Sequence, residues 1–389
     1  MNNKFLISVI GLNSILVLNY LLWAICPPNA LVAQIIIVLY IAICIYPLKN
    51  IKETWPLLGF IAFGLLVTMF TGSEAWDARS IWLFHGKRIF FDGGLYAQLD
   101  NYAPWSHNDY PVIFSAFAAT LATVVGDWNE IFPKSAAIFF LIPPLLMLLK
   151  IFSSPNLFLI FNIGLLKICG DLLFNGYIDA ILALYTCASV LMLIPMVIEV
   201  LNVDAKTRQT YGVLAGSFLI VLPLLKNEGL VILLCISIAA LLFESSLTKK
   251  FYIYALLASL LIYFLSWKMP LLQANLQNDM SVPGGISRAF DRVTDVDSLR
   301  LIALSIFKNI WLCLALMTLS LCVIKIKFSK FNIPVTFLIL YLAALLVVYF
   351  MTPHDLAWHL GLSISRTLMP VNLLMLGITI LALKQYKRL

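Results

Sequence analysis

Of 389 residues, 62% are hydrophobic and only 12% are charged, and the mean hydropathy is +0.97. A soluble domain carries about 25% charged residues, and no water-soluble fold of this length hides so much apolar surface. A soluble enzyme, a nucleic-acid binder and a disordered chain are therefore excluded, and the formal charge of +7 reflects topology, not an anionic polymer.

The sequence predicts an all-α, polytopic integral membrane protein, one transmembrane domain over 1–389 with no soluble domain. A spanning helix needs about 20 apolar residues. In chain order the runs are 5–25, 31–47, 57–71, 111–126, 135–149, 178–198, 211–224, 229–243, 251–267, 301–323, 333–351 and 366–383, twelve in all. The first lacks a small-residue cleavage pattern and reads as a span, not a removed signal. The run 157–168, closed by Lys167, is short for a crossing and is expected to stop at half depth. With the N-terminus in the cytoplasm, the inside connections carry Lys49, Lys52, Lys134, Lys206, Arg208, Lys249, Lys250, Lys325, Lys327 and Lys330. The tail adds Lys384, Lys387 and Arg388. Most acids fall outside, a positive-inside pattern with both termini cytoplasmic. The seven cysteines sit in apolar runs without CxxC spacing and read as small buried residues.

Three outside loops follow, 72–110, 268–300 and 352–365. The first opens Glu74-Ala-Trp-Asp77-Ala-Arg79-Ser-Ile-Trp82 and interleaves aromatic and basic residues at helical spacing, the pattern of an amphipathic helix in the headgroup plane. Asp77 is either a helix N-terminal acid or a functional carboxylate, and Tyr110-Pro111 starts the next span. Asp179 stands at the mouth of a long helix, and Lys226-Asn-Glu228-Gly is a polar island between apolar runs. Ionisable groups at such depth are costly and mark functional sites, or else pair with each other. In the second loop Pro283-Gly-Gly285 precedes a mixed-charge run, either a mobile flap in which Arg288 or Arg292 contacts substrate, or a solvated amphipathic helix.

The third loop holds His354, Asp355, His359, Ser363 and Arg366. In a helix, Asp355, His359, Ser363 and Arg366 form one polar stripe. His354, Asp355 and His359 could ligate a metal, but the spacing fits no zinc signature. An anion site fits better, since Arg binds phosphate bidentately.

Together Glu74–Trp82, Asp109-Tyr-Pro111, Gly176-Tyr-Ile-Asp179, Lys226-Asn-Glu228-Gly and Thr352–His359 followed by Arg366 resemble the GT-C class of membrane glycosyltransferases. The nearest resemblance is to bacterial transferases of the protein mannosyltransferase and lipid A aminoarabinose transferase type. The resemblance implies an inverting transferase that moves a sugar from a polyprenyl-phosphate donor to an acceptor hydroxyl on a glycan, lipid or protein. The reaction would occur at the outer face of a bacterial inner membrane. It implies Asp77 as the catalytic acid/base element and Asp179 as the second acid. Arg366, Lys226, His359 and His354 become the donor-phosphate candidates, with Glu228, Asp355, Arg79, Glu74 and Tyr110 in support. No cofactor is required, and a divalent cation is compatible with the chemistry. The rival expectation is a secondary transporter or lipid-linked-sugar flippase, which places polar groups near the midplane within internal repeats.

Overall fold

The computed structural model describes residues 3–49, 51–97, 99, 104–194, 205–243, 246–276, 283–324 and 331–386. Among them there are helices and no strand. Lys325, Lys327, Lys330, Lys387 and Arg388 of the charge pattern lie outside the described residues. Lys206, Arg208, Lys249 and Lys250 are described in their backbone alone.

In chain order the helices are α1 (Asn3–Ile25), α2 (Ala30–Leu48), α3 (Ile51–Phe70), α4 (Leu83–Asp92), α5 (Ile113–Val125), α6 (Ala136–Phe152), α7 (Pro155–Cys169), α8 (Asp179–Met192) and α9 (Ala205–Leu225). They continue as α10 (Asn227–Phe243), α11 (Ser246–Tyr263), α12 (Met269–Gln273), α13 (Gly285–Thr294), α14 (Val296–Ile324), α15 (Asn332–Met351), α16 (Leu356–Thr367) and α17 (Met369–Tyr386). Nine helical stretches among the described residues are long and apolar enough to cross a membrane, and α5, α8, α10 and the Gly212–Leu225 part of α9 are shorter apolar helices. Local chemistry sets the boundaries. Asn29 caps α2 through a bond from the Val32 amide (3.0 Å). Ser154 caps α7 with Pro155 at its first position, where the missing N–H is no loss. Glycines with positive φ end α4 and α5.

One end of the bundle gathers the polar segments. The Asp179 carboxylate there receives Lys226 (2.9 Å), and the Tyr20 hydroxyl donates to the Ser266 carbonyl (2.9 Å). At the other end the Lys384 ammonium donates to the Ile151 carbonyl (2.9 Å), tying the last turn of α17 to α6.

Three sequence expectations shift. The run 111–126 forms α5, only 13 residues long, with both ends at the polar end of the bundle. Its N-terminal approach is held by Trp267, whose indole donates to the Asp109 carbonyl (2.9 Å). Its C-terminal exit leads to Glu130, which pairs with Lys87 (3.3 Å) and accepts from Ser73 (2.5 Å). Residues 113–122 of α5 are all buried, because α4 covers one side and α1, α2 and α6 the other. Conversely, the run 157–168 lies within α7, which a short 3-10 turn extends to Leu173, and that stretch is one of the nine. Lys134, grouped with the cytoplasmic cations by the charge pattern, instead lies at the polar end. It is fully buried and donates to the Thr71 and Gly72 carbonyls (2.5 and 3.1 Å) and to the Thr71 hydroxyl (3.0 Å). It thereby satisfies the open carbonyls after α3.

Candidate functional site

The turn after α3 leads through Asp77 into a π-turn, Ala78–Trp82, that runs on into α4. Asp77 occupies the N-cap position, yet its side chain makes no capping bond. The carboxylate turns instead to the Arg366 guanidinium, 289 residues away, in a direct ion pair. Tyr177 closes this contact from the side. Its hydroxyl accepts from the Asp77 amide (3.3 Å), and its ring lies 5.4 Å from the guanidinium carbon. Tyr177 follows Gly176, whose φ of +94° a side chain adopts only under strain, so the hairpin bend before α8 is built for glycine. Burial raises the Tyr177 phenol above its ordinary range, which keeps it a neutral hydrogen-bonding group.

Arg366 also approaches Asp179, at 3.8 Å. Asp179 begins α8 and is 4% exposed, and its other oxygen accepts from Lys226 at 2.9 Å. Lys226 pairs with Glu228 as well, at 2.9 Å, and its ammonium sits 5.7 Å from the Tyr110 ring. It occupies the single-residue break between α9 and α10. That break depends on Gly229, since a Cβ there would overlap the Leu222 carbonyl. Asp77, Arg366, Asp179, Lys226 and Glu228 thus form one continuous chain of ion pairs drawn from four separated parts of the sequence. A small hollow opens against it, lined by Asp179, Lys226, Glu228, Arg366, Tyr341 and Thr367. Three carboxylates face two cations, and both cations are already engaged. One oxygen of Asp179 and one of Glu228 are buried without a hydrogen-bond donor, so each can accept a bond from a bound molecule.

The stripe of the third loop forms as α16, but only its lower end reaches the cluster. Asp355 is the N-cap and accepts from the Trp358 amide (2.8 Å). His354 packs its ring 5.2 Å from Trp358. His359 lies half-buried, 5.3 Å from the Tyr349 ring and 5.7 Å from His354, seven residues or about 10 Å of helix before Arg366. Ser363 shares a hydrogen bond with Tyr349 (3.0 Å). Glu74 and Arg79 are exposed, and among the described residues no ion pair joins them to the cluster. No group of three or more metal-ligating side chains occurs among the described residues.

Arg288 and Arg292 of α13 do not reach the hollow. Arg292 donates to the carbonyls of Tyr349, Phe350, Thr352 and His354 (2.8–3.1 Å), and Arg288 to that of Met351 (3.1 Å). They close the C-terminus of α15, where cations are favoured, and so fix the segment that launches α16.

Sequence reasoning gave no site role to Asp109 or Asn227. Asp109 is 3% exposed and accepts from the Asn227 amide (2.9 Å), the neighbour of Lys226. The one available signal was its place in the loop-end Asp109-Tyr-Pro111. No family model, curated protein or solved structure matches this chain.

Proposed function

We propose that this protein is an inverting glycosyltransferase that uses a polyprenyl-phosphate sugar. The observation that carries the reading is the joining of Asp77, Asp179, Lys226, Glu228 and Arg366 in one chain of ion pairs, the last four lining one hollow, at one end of an apolar helical bundle. A lipid tail and a polar sugar meet only at such a boundary. The acceptor hydroxyl oxygen attacks the anomeric carbon, and its proton passes to the Asp77 carboxylate. The bond from that carbon to the phosphate oxygen breaks, and its electron pair leaves with the phosphate. Arg366 and Lys226 stabilise the growing negative charge, which fixed cations do best in a recess that excludes water.

The ion-pair chain adds a sequence of events. Donor phosphate takes Arg366 from Asp77, and Asp77 is thereby released to act as base, so that the carboxylate is freed only when a donor is present. Burial opposes the charge on Lys226, but Asp179 and Glu228 overcome this and hold its ammonium well above the ordinary lysine range, so it meets the phosphate as a cation.

The topology is proposed with twelve crossings, α7 taking the place of α5. Helices α1, α2, α3, α6, α7, α8, α9, α10, α11, α14, α15 and α17 then alternate in direction, and both termini lie opposite the hollow. Moving Lys134 to the outer face leaves Lys49, Lys52, Lys384 and the other inside cations where the positive-inside rule favours them. The remaining helices, α4, α5, α12, α13 and α16, lie at the outer face of a bacterial inner membrane.

Transfer from a panel of polyprenyl-phosphate sugars in proteoliposomes tests the reading. The wild type transfers at least one sugar, and Asp77→Asn loses activity by about 100-fold or more while remaining folded. Movement of the intact donor across the bilayer without transfer would replace the enzyme by a flippase.

A further inference from the structure

Helix α13 presents the wrong side to the protein for a helix in water. Ile286, Phe290 and Val293 fall within an arc of about 60° around its axis. That arc points away from the bundle, with Ile286 and Phe290 each 70% exposed and Val293 49%. Arg288 and Arg292 lie about 150° round the helix and point inward, donating to the carbonyls of Tyr349, Phe350, Met351, Thr352 and His354. Between the two, Ser287, Asp291 and Thr294 make a third side that is polar and exposed. An amphipathic helix in water does the reverse, turning its apolar stripe to the core and its charges outward. Helix α4, also ten residues long, obeys that rule. Its Leu83 and Ile89 are buried, and its Lys87 side chain is 48% exposed.

The continuation of the apolar side tells what covers it. Asp295 ends α13 in extended backbone (φ −89°, ψ 114°). It also accepts from the Ser298 and Asp297 amides (2.9 and 3.3 Å) at the start of α14, so one residue joins the two helices. Beyond that corner Val296, Leu299, Leu304, Phe307 and Trp311 are exposed, and α14 belongs to the stretches long and apolar enough to cross a membrane. An exposed apolar flank on a crossing helix faces acyl chains, and the apolar side of α13 runs into that flank at its end. Asp297 and Arg300, exposed in the first turns of α14, suit the level of the headgroups. Because both arginines of α13 are bonded to carbonyls, the helix can settle there without carrying a bare cation into lipid.

We propose that α13 is an in-plane membrane anchor. Ile286, Phe290 and Val293 sit among the acyl chains just beneath the headgroups, at a depth of about 5–10 Å, and Arg288 and Arg292 pass that position on to the junction of α15 and α16. The partner of this face is the lipid surface itself. A ten-residue helix does not hold its own fold in water, so lipid on one side and carbonyls on the other keep α13 formed. The junction it steadies launches α16, which carries Arg366 in its last turn. The inference does not rest on the transferase reading.

Photo-crosslinking of the full-length protein in vesicles of phosphatidylethanolamine and phosphatidylglycerol tests it. A diazirine amino acid replaces Ile286, Phe290 or Val293 in turn, with Asp291 as the water-facing control, and mass spectrometry identifies the product of illumination. The three apolar positions yield phospholipid adducts whose fragments place the link on an acyl chain, and position 291 yields mainly the product of water addition. Water addition predominating at the three apolar positions, or cross-linked pairs of protein chains there, overturns the proposal. Lipid adducts at 291 as abundant as those at 290 overturn it too. A second measurement removes the face itself. In the double variant Ile286→Ser, Phe290→Ser, amide hydrogen exchange in α13 and in the first turn of α16 rises about fivefold or more over wild type, while α6 keeps its protection and so reports a folded bundle. Exchange at the wild-type rate in α13 overturns the seating in lipid, and a rate unchanged in α16 alone overturns the transmission to it.

Discussion

Replacing Lys226 by methionine isolates the ion-pair chain, because the apolar stem keeps most of its packing while the ammonium disappears. Lys226 and Asp179 have side chains only 8% and 4% exposed. In the variant, Asp179 loses its 2.9 Å partner and keeps only Arg366 at 3.8 Å. Glu228, 29% exposed, can turn toward water, but Asp179 cannot. Removing one member of a buried pair costs about 3–5 kcal/mol, a large part of the roughly 5–15 kcal/mol that holds a domain folded. Unfolding of the purified protein by SDS titration in mixed micelles, followed through its tryptophans, reads this loss. Asp179→Asn in the Lys226→Met background should recover much of it, giving a coupling on the order of 2–3 kcal/mol. A single variant within about 1 kcal/mol of wild type, below even the usual cost of an orphaned buried group, would refute the argument that this chain is desolvated and mutually dependent. A double variant no better than the single would do the same.

Lys134→Met removes the donor shared by the Thr71 and Gly72 carbonyls and loosens the turn that carries Asp77. The expected cost is about 1–3 kcal/mol in stability, with kcat falling more than donor affinity, measured by donor titration. A variant with unchanged kcat removes Lys134 from the positioning of Asp77. Acid sensitivity should trace to His85, whose pKa burial depresses below its ordinary value. Below about pH 6.5 the unfolded chain binds a proton that the folded chain refuses, so stability falls as pH drops. His85→Gln should flatten the dependence of the melting temperature on pH in this range, and a slope equal to that of wild type counts against it.

What the sequence discloses, and what it hides, follows from the kind of signal each residue carries. Apolar composition specifies helices in lipid, and the isolated charges at 77, 179, 226, 228 and 366 stand out because each is costly where it lies. Direction is less visible. The run at 111–126 is packed by α4, α1, α2 and α6, and periodicity does not separate burial against protein from burial in lipid. Lys134 looks like a cytoplasmic anchor when charge is counted by loop. Only the folded chain shows it capping α3. The histidines and Asp355 illustrate the same limit, for a helical stripe predicts a shared face, and the cap at Asp355 uses up one end of it. Arg288 and Arg292, free cations to a reader of the sequence, are held by backbone carbonyls. The pairing of Asp77 with Arg366 spans 289 positions and is written in no local pattern.

The central claim is that the Arg366 guanidinium is a phosphate site whose resident counter-ion is Asp77. Titrating sugar-free polyprenyl phosphate into the protein in nanodiscs measures it without requiring the acceptor. Arg366→Ala should bind at least tenfold more weakly than wild type, and Asp77→Asn should bind more tightly, because the competing carboxylate is gone. Asp77→Asn binding more weakly than wild type, or Arg366→Ala binding undiminished, would contradict the account.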